Sequence, residues 1–243
     1  DRGNGFGSAG SRSLFTGGTA VRVASEQTVD KARALAADEL EVGPGDVEYD
    51  AGFYKVVGTD RKIDLFTVAA RQQDARITMD TRTSVEGPTW PNGCHVCEVE
   101  IDPLTGRTEV AAYSSVNDVG RVVNPMIVRG QLDGGAVQGI GQALLEAVRY
   151  DADSGQALSA SFLDYAMPRA DVIRVFRTET NESAPCKNNP LGVKGVGELG
   201  TIGATPAVVN AVMDALVRAG RTDAPQRLQM PLTPERVWEI LQD

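Results

Sequence analysis

Histidine occurs once in this chain, at His95, and cysteine three times, at Cys94, Cys97 and Cys186. That scarcity excludes a disulfide framework. It also excludes a zinc site of four protein ligands, because Cys94-His-Val-Cys97 has neither a second Cys-x-x-Cys pair nor another histidine to complete it. An iron–sulfur cluster lacks thiolates in the same way. The stretch Gly93–Asp102 alternates apolar and polar residues, so the cysteines there read as small apolar fillers of a half-buried strand. Sparse thiols suit a reducing, cytoplasmic compartment. Basic residues do not predominate: the net charge is -9, and lysines and arginines are scattered among acids, which excludes a nucleic-acid surface. No apolar run approaches the roughly 20 residues of a membrane span, and no secretory or twin-arginine leader precedes Asp1. Aromatics make up only 5%, so the 42% hydrophobic content is mostly aliphatic. In 243 residues that is enough for a substantial core, as one domain or as two lobes of about 1–90 and 91–243.

What the chain does have is glycine where a ligand needs room. The segment Asn188–Pro206 sets a single acid, Glu198, among Gly195, Gly197, Gly200 and Gly203 and runs into the helical pattern Ala207–Leu216. Thr205 and Pro206 have the residue types of an N-cap and a first helical position, so the helix is expected to start there. Helix N-termini attract anions, which makes this an anion-binding turn that carries a carboxylate. Gly5-Phe-Gly-Ser-Ala-Gly10 and Gly195-Val-Gly-Glu-Leu-Gly200 both match the dinucleotide fingerprint. Neither follows a hydrophobic strand, as a Rossmann unit requires, and a Walker A loop is absent.

The remaining pattern predicts a helix over Thr28–Leu40, short strands over Val47–Val57, a helix over Leu65–Asp74 and a strand over Arg76–Val85. Strands Cys94–Ile101 and Thr108–Val116 flank the turn Asp102–Gly106 and form a hairpin. A helix covers Ile127–Val148, a strand Asp171–Glu179, and a short amphipathic helix Pro234–Leu241. Gly134, Gly135, Gly139 and Gly141 lie inside the long helix, where glycine costs about 1 kcal/mol each relative to alanine. Either tight packing or the close approach of a ligand accounts for them.

Four stretches in this order resemble the molybdenum-binding subunit of the xanthine dehydrogenase, aldehyde oxidase and carbon monoxide dehydrogenase family. They are Gly7-Ser-Ala-Gly-Ser-Arg-Ser13, Asn117–Pro125, Gly130–Gly139 and Lys194-Gly-Val-Gly-Glu198. The resemblance covers nearly the whole chain but only the C-terminal third or so of the family's subunit. It implies an α+β fold of mixed sheets with packed helices, the second molybdopterin-binding domain of the large subunit. Asp1 in place of a start methionine fits a chain that continues from an N-terminal part.

By the same resemblance Glu198 is the base that takes a proton beside the molybdenum while water supplies the oxygen for hydroxylation. Gly7, Ser8, Gly10, Ser11, Arg12, Gln131, Gly134, Gln138, Gly139, Lys194, Gly195, Val196 and Gly197 are the cofactor-binding positions. The implied cofactor is molybdopterin cytosine dinucleotide carrying molybdenum, with [2Fe–2S] and FAD in partner subunits. The other implied partners are the remainder of the molybdenum subunit and a small-molecule substrate, an N-heterocycle or an aldehyde. Asp118, Arg121 and Asn124 read as turn residues outside the site. Leu199 departs from the proline or alanine that follows the glutamate in many members. A noncatalytic scaffold piece and a nicotinamide-dependent Rossmann enzyme are the alternatives.

Overall fold

The computed structural model describes residues 7–242. Its backbone divides into two compact units, one formed by the described residues of Asp1–Arg12 together with Gly87–Asp243, the other by Ser13–Glu86.

The smaller unit pairs helix α1 (Thr19–Glu39) with a three-stranded antiparallel sheet, β1 (Val47–Asp50), β2 (Phe53–Val56) and β3 (Lys62–Asp64), followed by the short helix α2 (Leu65–Ala70). The helix begins nine residues before the expected Thr28. Its buried apolar residues Ala32, Ala36 and Ala37 lie in the C-terminal half, so the apolar period that marks a helix in sequence is missing from its first turns, where the buried residue is Thr19. Ala32, Ala36, Tyr54 and Val68 are fully buried and form the core of this unit, and the Tyr54 hydroxyl donates to the Val29 carbonyl at 2.9 Å. The expected helix Leu65–Asp74 ends early, at Ala70. The expected strand over Arg76–Val85 does not form. Instead the Lys31 ammonium donates to the Thr78 carbonyl and the Thr81 hydroxyl to the Gln27 amide oxygen, so side chains of α1 take up the segment that a sheet edge would otherwise pair.

The larger unit is built on a sheet ordered β4 (Asn92–Ile101), β5 (Thr108–Asp118), β6 (Ile173–Thr180). β4 and β5 form the expected antiparallel hairpin, and the Asp102 carboxylate closes its turn by accepting from Leu104 N–H and the Thr105 hydroxyl. β6 joins β5 in parallel, which requires a crossover, and helix α3 (Pro125–Leu144) provides it. Helix α4 (Leu199–Arg218) lies between β4 and α3 and buries Ala204, Val208, Val212 and Leu216 against Val110, Tyr113 and Ile140. The short helices α5 (Ala224–Arg227) and α6 (Pro234–Gln242) close the core through Ala224, Val237 and Ile240.

Helix α4 does not start at Thr205. It starts at Leu199, with Pro206 in its interior and Glu198 at its N-cap. The Thr205 hydroxyl, free of a capping role, donates to the Gly139 carbonyl at 3.2 Å, and Gly200 and Gly203 let this first stretch pack against its neighbours. Tertiary contact therefore supports two extra turns that local sequence alone disfavours. At 20 residues α4 is also long and apolar enough to cross a membrane, where no such run was expected. Its buried stripe marks it as the core helix of this unit.

His95 packs flat on α4, because a Cβ at Gly203 would fall 2.5 Å from its ring. Its Nδ1 lies 2.5 Å from the Tyr113 hydroxyl and its Nε2 3.1 Å from the Asn117 side-chain oxygen. Burial lowers the imidazole below its ordinary pKa of 6.5, against a smaller opposing pull from the Asn117 hydrogen bond. The neutral ring is the one the fold accommodates. As pH falls through 6.5 the unfolded chain takes up a proton before the folded one does, so stability present above that pH is lost below it. His95 is the one imidazole in the chain, so replacing it isolates its share of this slope. Denaturant unfolding between pH 7.5 and pH 5.5, on wild type and His95→Gln, should show a loss of stability just below neutrality that the variant lacks; equal slopes would refute the assignment.

Candidate functional site

The loop 186–198 is held at several points before it reaches Glu198. Buried Asn189 closes its first turn, donating from its amide to the Val193 carbonyl at 2.9 Å and accepting from Val193 N–H at 3.2 Å. The next residues run beside 119–121, with Lys194 N–H donating to the Val119 carbonyl and Arg121 N–H to the Gly192 carbonyl. A Cβ at Gly120 would collide with the Gly192 carbonyl, so glycine permits this close pairing. Gly195 N–H then donates to the hydroxyl of buried Thr89 at 3.0 Å.

Lys194 pairs with Asp118 at 2.6 Å, and the two side chains are only 9% and 18% exposed. Burial pulls the Asp118 carboxyl upward. The Lys194 ammonium and the Gly120 N–H, joined by the Asn92 side chain, outweigh it and hold the carboxyl below the ordinary aspartate value. Asp118, expected only to stabilise a turn, therefore anchors the loop as the partner of Lys194. The Lys194 ammonium, expected at the cofactor, is engaged by that carboxylate.

Beyond this anchor the chain is open. Gly197 and Glu198 are exposed, and Ser11 lies against them. The Ser11 hydroxyl donates to Glu198 Oε2 at 2.7 Å and accepts from Glu198 N–H at 3.1 Å. Gln131 of α3 adjoins the same spot, since its Oε1 lies 3.5 Å from where a Gly197 Cβ would stand. One turn further on, the Thr201 hydroxyl of α4 donates to the Gly135 carbonyl at 2.9 Å and approaches the Gln138 amide oxygen at 3.4 Å. Glu198, Ser11, Gly195, Gly197, Gln131 and Gln138 thus meet around the start of α4.

The helical glycines divide into two groups. A Cβ at Gly135 would lie 3.2 Å from Gly200 Cα, and one at Gly139 2.8 Å from Ala204 Cβ; at Gly141 it would lie 2.5 Å from Pro168. These three serve packing, and Gly139 is buried beneath α4. Val196 likewise turns inward, onto the small core of Val119, Val128, Leu132 and Leu199. Gly134 is exposed, and a Cβ there would meet nothing within 4 Å; the same holds for Gly130. Nothing among the described residues accounts for glycine at these two positions, which lie on the same helix as exposed Gln131 and Gln138. An open, amide-bearing helix face is what a flat heterocycle rich in donors and acceptors requires. The residues present fit a pterin.

Gly7 and Gly10 have positive φ of 72° and 60° and are exposed with Ser8, while Arg12 is half-buried. Gly5 and Phe6 of the first fingerprint lie outside the described residues. The second fingerprint opens α4 but follows a loop rather than a strand, so neither stands in a Rossmann unit among the described residues. Thr89 and Thr201 had no signal in sequence: each is one hydroxyl in an ordinary context.

Compared with protein-family models, residues 2–174 match the molybdopterin cofactor-binding domain. The chain belongs to this family. That match ends before Glu198, but similarity to individual members of the family continues through it. The 6-hydroxypseudooxynicotine dehydrogenase complex subunit gamma of Paenarthrobacter nicotinovorans is 37% identical over 98% of this chain and 30% of its own length. The carbon monoxide dehydrogenase of Oligotropha carboxidovorans superposes with a TM-score of 0.83 at 31% identity, over 99% of this chain and 30% of that one. Quinoline 2-oxidoreductase from Pseudomonas putida 86 superposes with a TM-score of 0.80 at 33% identity, over 98% of this chain and 31% of that one. The molybdopterin-domain chain therefore spans about a third of the length of these relatives.

Because the Lys194–Asp118 pair is largely shielded from water and anchors the loop, removing one partner strands the other charge. Lys194→Met should destabilise the protein by about 3 kcal/mol. Lys194→Met with Asp118→Asn should recover a large part of that loss, as measured by denaturant unfolding; a single variant as stable as wild type would contradict the anchor role.

Proposed function

We propose that this chain is the part of a molybdenum hydroxylase that binds molybdopterin, as the cytosine dinucleotide, and supplies Glu198 as the catalytic base. The observation that carries the reading is the pair of exposed, uncovered glycines, Gly130 and Gly134, on the same helix as exposed Gln131 and Gln138, with Gln131 beside Gly197 at the start of α4. Gln131, Gln138 and Gly134 would hold the pterin. Gly7, Ser8, Gly10 and Arg12, with Gly195 and Gly197, would line the dinucleotide side. When bound, the molybdenum of such a cofactor supplies water-derived oxygen to an electron-poor carbon and takes up two electrons. The part of the chain itself is proton transfer: Glu198 Oε1, not engaged by Ser11, accepts the proton released as the oxygen nucleophile forms, within reach of a substrate at the exposed end of α4. The first turn of α4 favours the resulting negative charge nearby.

The substrate class proposed is an N-heterocycle or an aldehyde. Two of the relatives described above are named for quinoline and for 6-hydroxypseudooxynicotine, which supports the heterocycle arm. Relatives named as a subunit of a complex or as a large chain support assembly with other subunits; the partners proposed are the remainder of the molybdenum subunit and [2Fe–2S] and FAD subunits. A cytoplasmic setting is part of the same proposal.

In the complete enzyme Glu198→Gln should lower turnover by about 100- to 10,000-fold while molybdenum content stays at the wild-type level. Turnover that survives the substitution would remove the base role and leave a scaffold. Gly134→Ala separates cofactor binding from folding: it should leave the fold intact or stabilise it by up to about 1 kcal/mol. Pterin and molybdenum content should nevertheless fall in that variant. Unchanged content would count against the α3 face as the pterin seat.

A further inference from the structure

We infer that Ser11 is the positioning residue of Glu198, its hydroxyl fixing the carboxylate rather than binding the cofactor. This rests on the reading of Glu198 as the base. Three observations carry it.

The contact is reciprocal: one hydroxyl donates to Oε2 and accepts from the N–H of the same glutamate, 187 positions away in sequence and in the same compact unit. A serine has a single hydroxyl proton, and given to Glu198 it is not available to a phosphate.

Ser11 also sits at φ +54°, a left-handed conformation that costs a residue with a Cβ and that its neighbour Gly10 adopts without that cost. Backbone geometry alone would favour glycine at this position, so the serine there contributes its side chain.

Finally, the Glu198 loop gives way to Ser11 where they meet. A Cβ at Gly195 would lie 2.8 Å from the Ser11 carbonyl oxygen and 3.0 Å from Ser11 Cβ, and one at Gly197 3.1 Å from Ser11 Oγ. Two glycines of the loop thus clear the space that Ser11 needs to reach the carboxylate. Held through both its backbone N–H and Oε2, Glu198 keeps one orientation, with Oε1 as the accepting atom.

The test uses the complete enzyme with Ser11→Gly, Glu198→Gln and the double variant. Glycine suits φ +54°, so loss of the fold does not confound the result. Ser11→Gly should lower kcat by about 10- to 100-fold, the scale of a mispositioned catalytic group. KM and molybdenum content should stay at wild-type values. In the Glu198→Gln background the same change should do nothing further, because a residue that acts through Glu198 has nothing left to act on. Without any turnover, hydrogen exchange of the peptide spanning 195–202 should quicken in Ser11→Gly as the Glu198 amide loses its acceptor. Unchanged kcat, a fall in molybdenum content, or losses that add in the double variant would each overturn the positioning role. If Glu198→Gln alone retains turnover, it is the base assignment that fails, and the exchange result still reports whether Ser11 clamps the loop.

Discussion

The close crossing of α3 and α4 is the contact on which the rest of the larger unit depends. Gly135, Gly139 and Gly200 remove the side chains that would hold two helices apart, and the hydroxyls of Thr201 and Thr205 bond across the seam to the carbonyls of Gly135 and Gly139. Close approach increases dispersion contact and leaves no void at the seam. The same crossing brings the N-cap of α4, with Glu198, next to the glutamine-bearing face of α3. The packing that stabilises the unit is thus also what assembles its candidate site.

A second constraint acts on the loop between β6 and α4. A segment with so many glycines loses much backbone entropy on ordering. Its order is bought with specific bonds: the Asn189 ring closure, the pairing with 119–121, the Thr89 hydroxyl and the buried Lys194–Asp118 pair. Each acts before Glu198. The carboxylate itself lies just beyond the last of them, exposed and held by the Ser11 hydroxyl. Rigidity behind a functional group and openness in front of it is the arrangement a reacting side chain needs.

Much of the fold was legible where local pattern and tertiary environment agree. The β4–β5 hairpin has alternating faces and a turn whose Asp102 caps its own backbone; the helix expected over Ile127–Val148 forms as Pro125–Leu144, capped by Asn124, which reads in sequence as a turn residue. Where the two conflict, sequence misleads. Thr205-Pro206 is a sound local helix start, overruled because α3 and β4 have room for two more turns at Gly200 and Gly203. The 76–85 segment has strand-like residues but α1 side chains to bond with. In the site, Glu198 stood out as a single acid among glycines, while Ser11, Gln131 and Gln138 followed from the family resemblance. Thr89 and Asp118 did not, because a buried hydroxyl and an aspartate in a turn look the same in sequence whether or not another strand brings them a partner.

By itself the sequence determined the chemistry available here: one acid in a glycine-dense turn, a glutamine-bearing helix rich in glycine, and a shortage of metal-binding side chains. Composition and local spacing carry that information, since they depend only on which groups are present and how far apart they lie along the chain. The tertiary structure decided which glycines serve packing and which face outward, that Lys194 answers to Asp118, and that Ser11 meets Glu198 across 187 positions. Those outcomes depend on which surfaces the helix crossing brings together, and contacts between segments far apart in the chain leave no periodic trace in it.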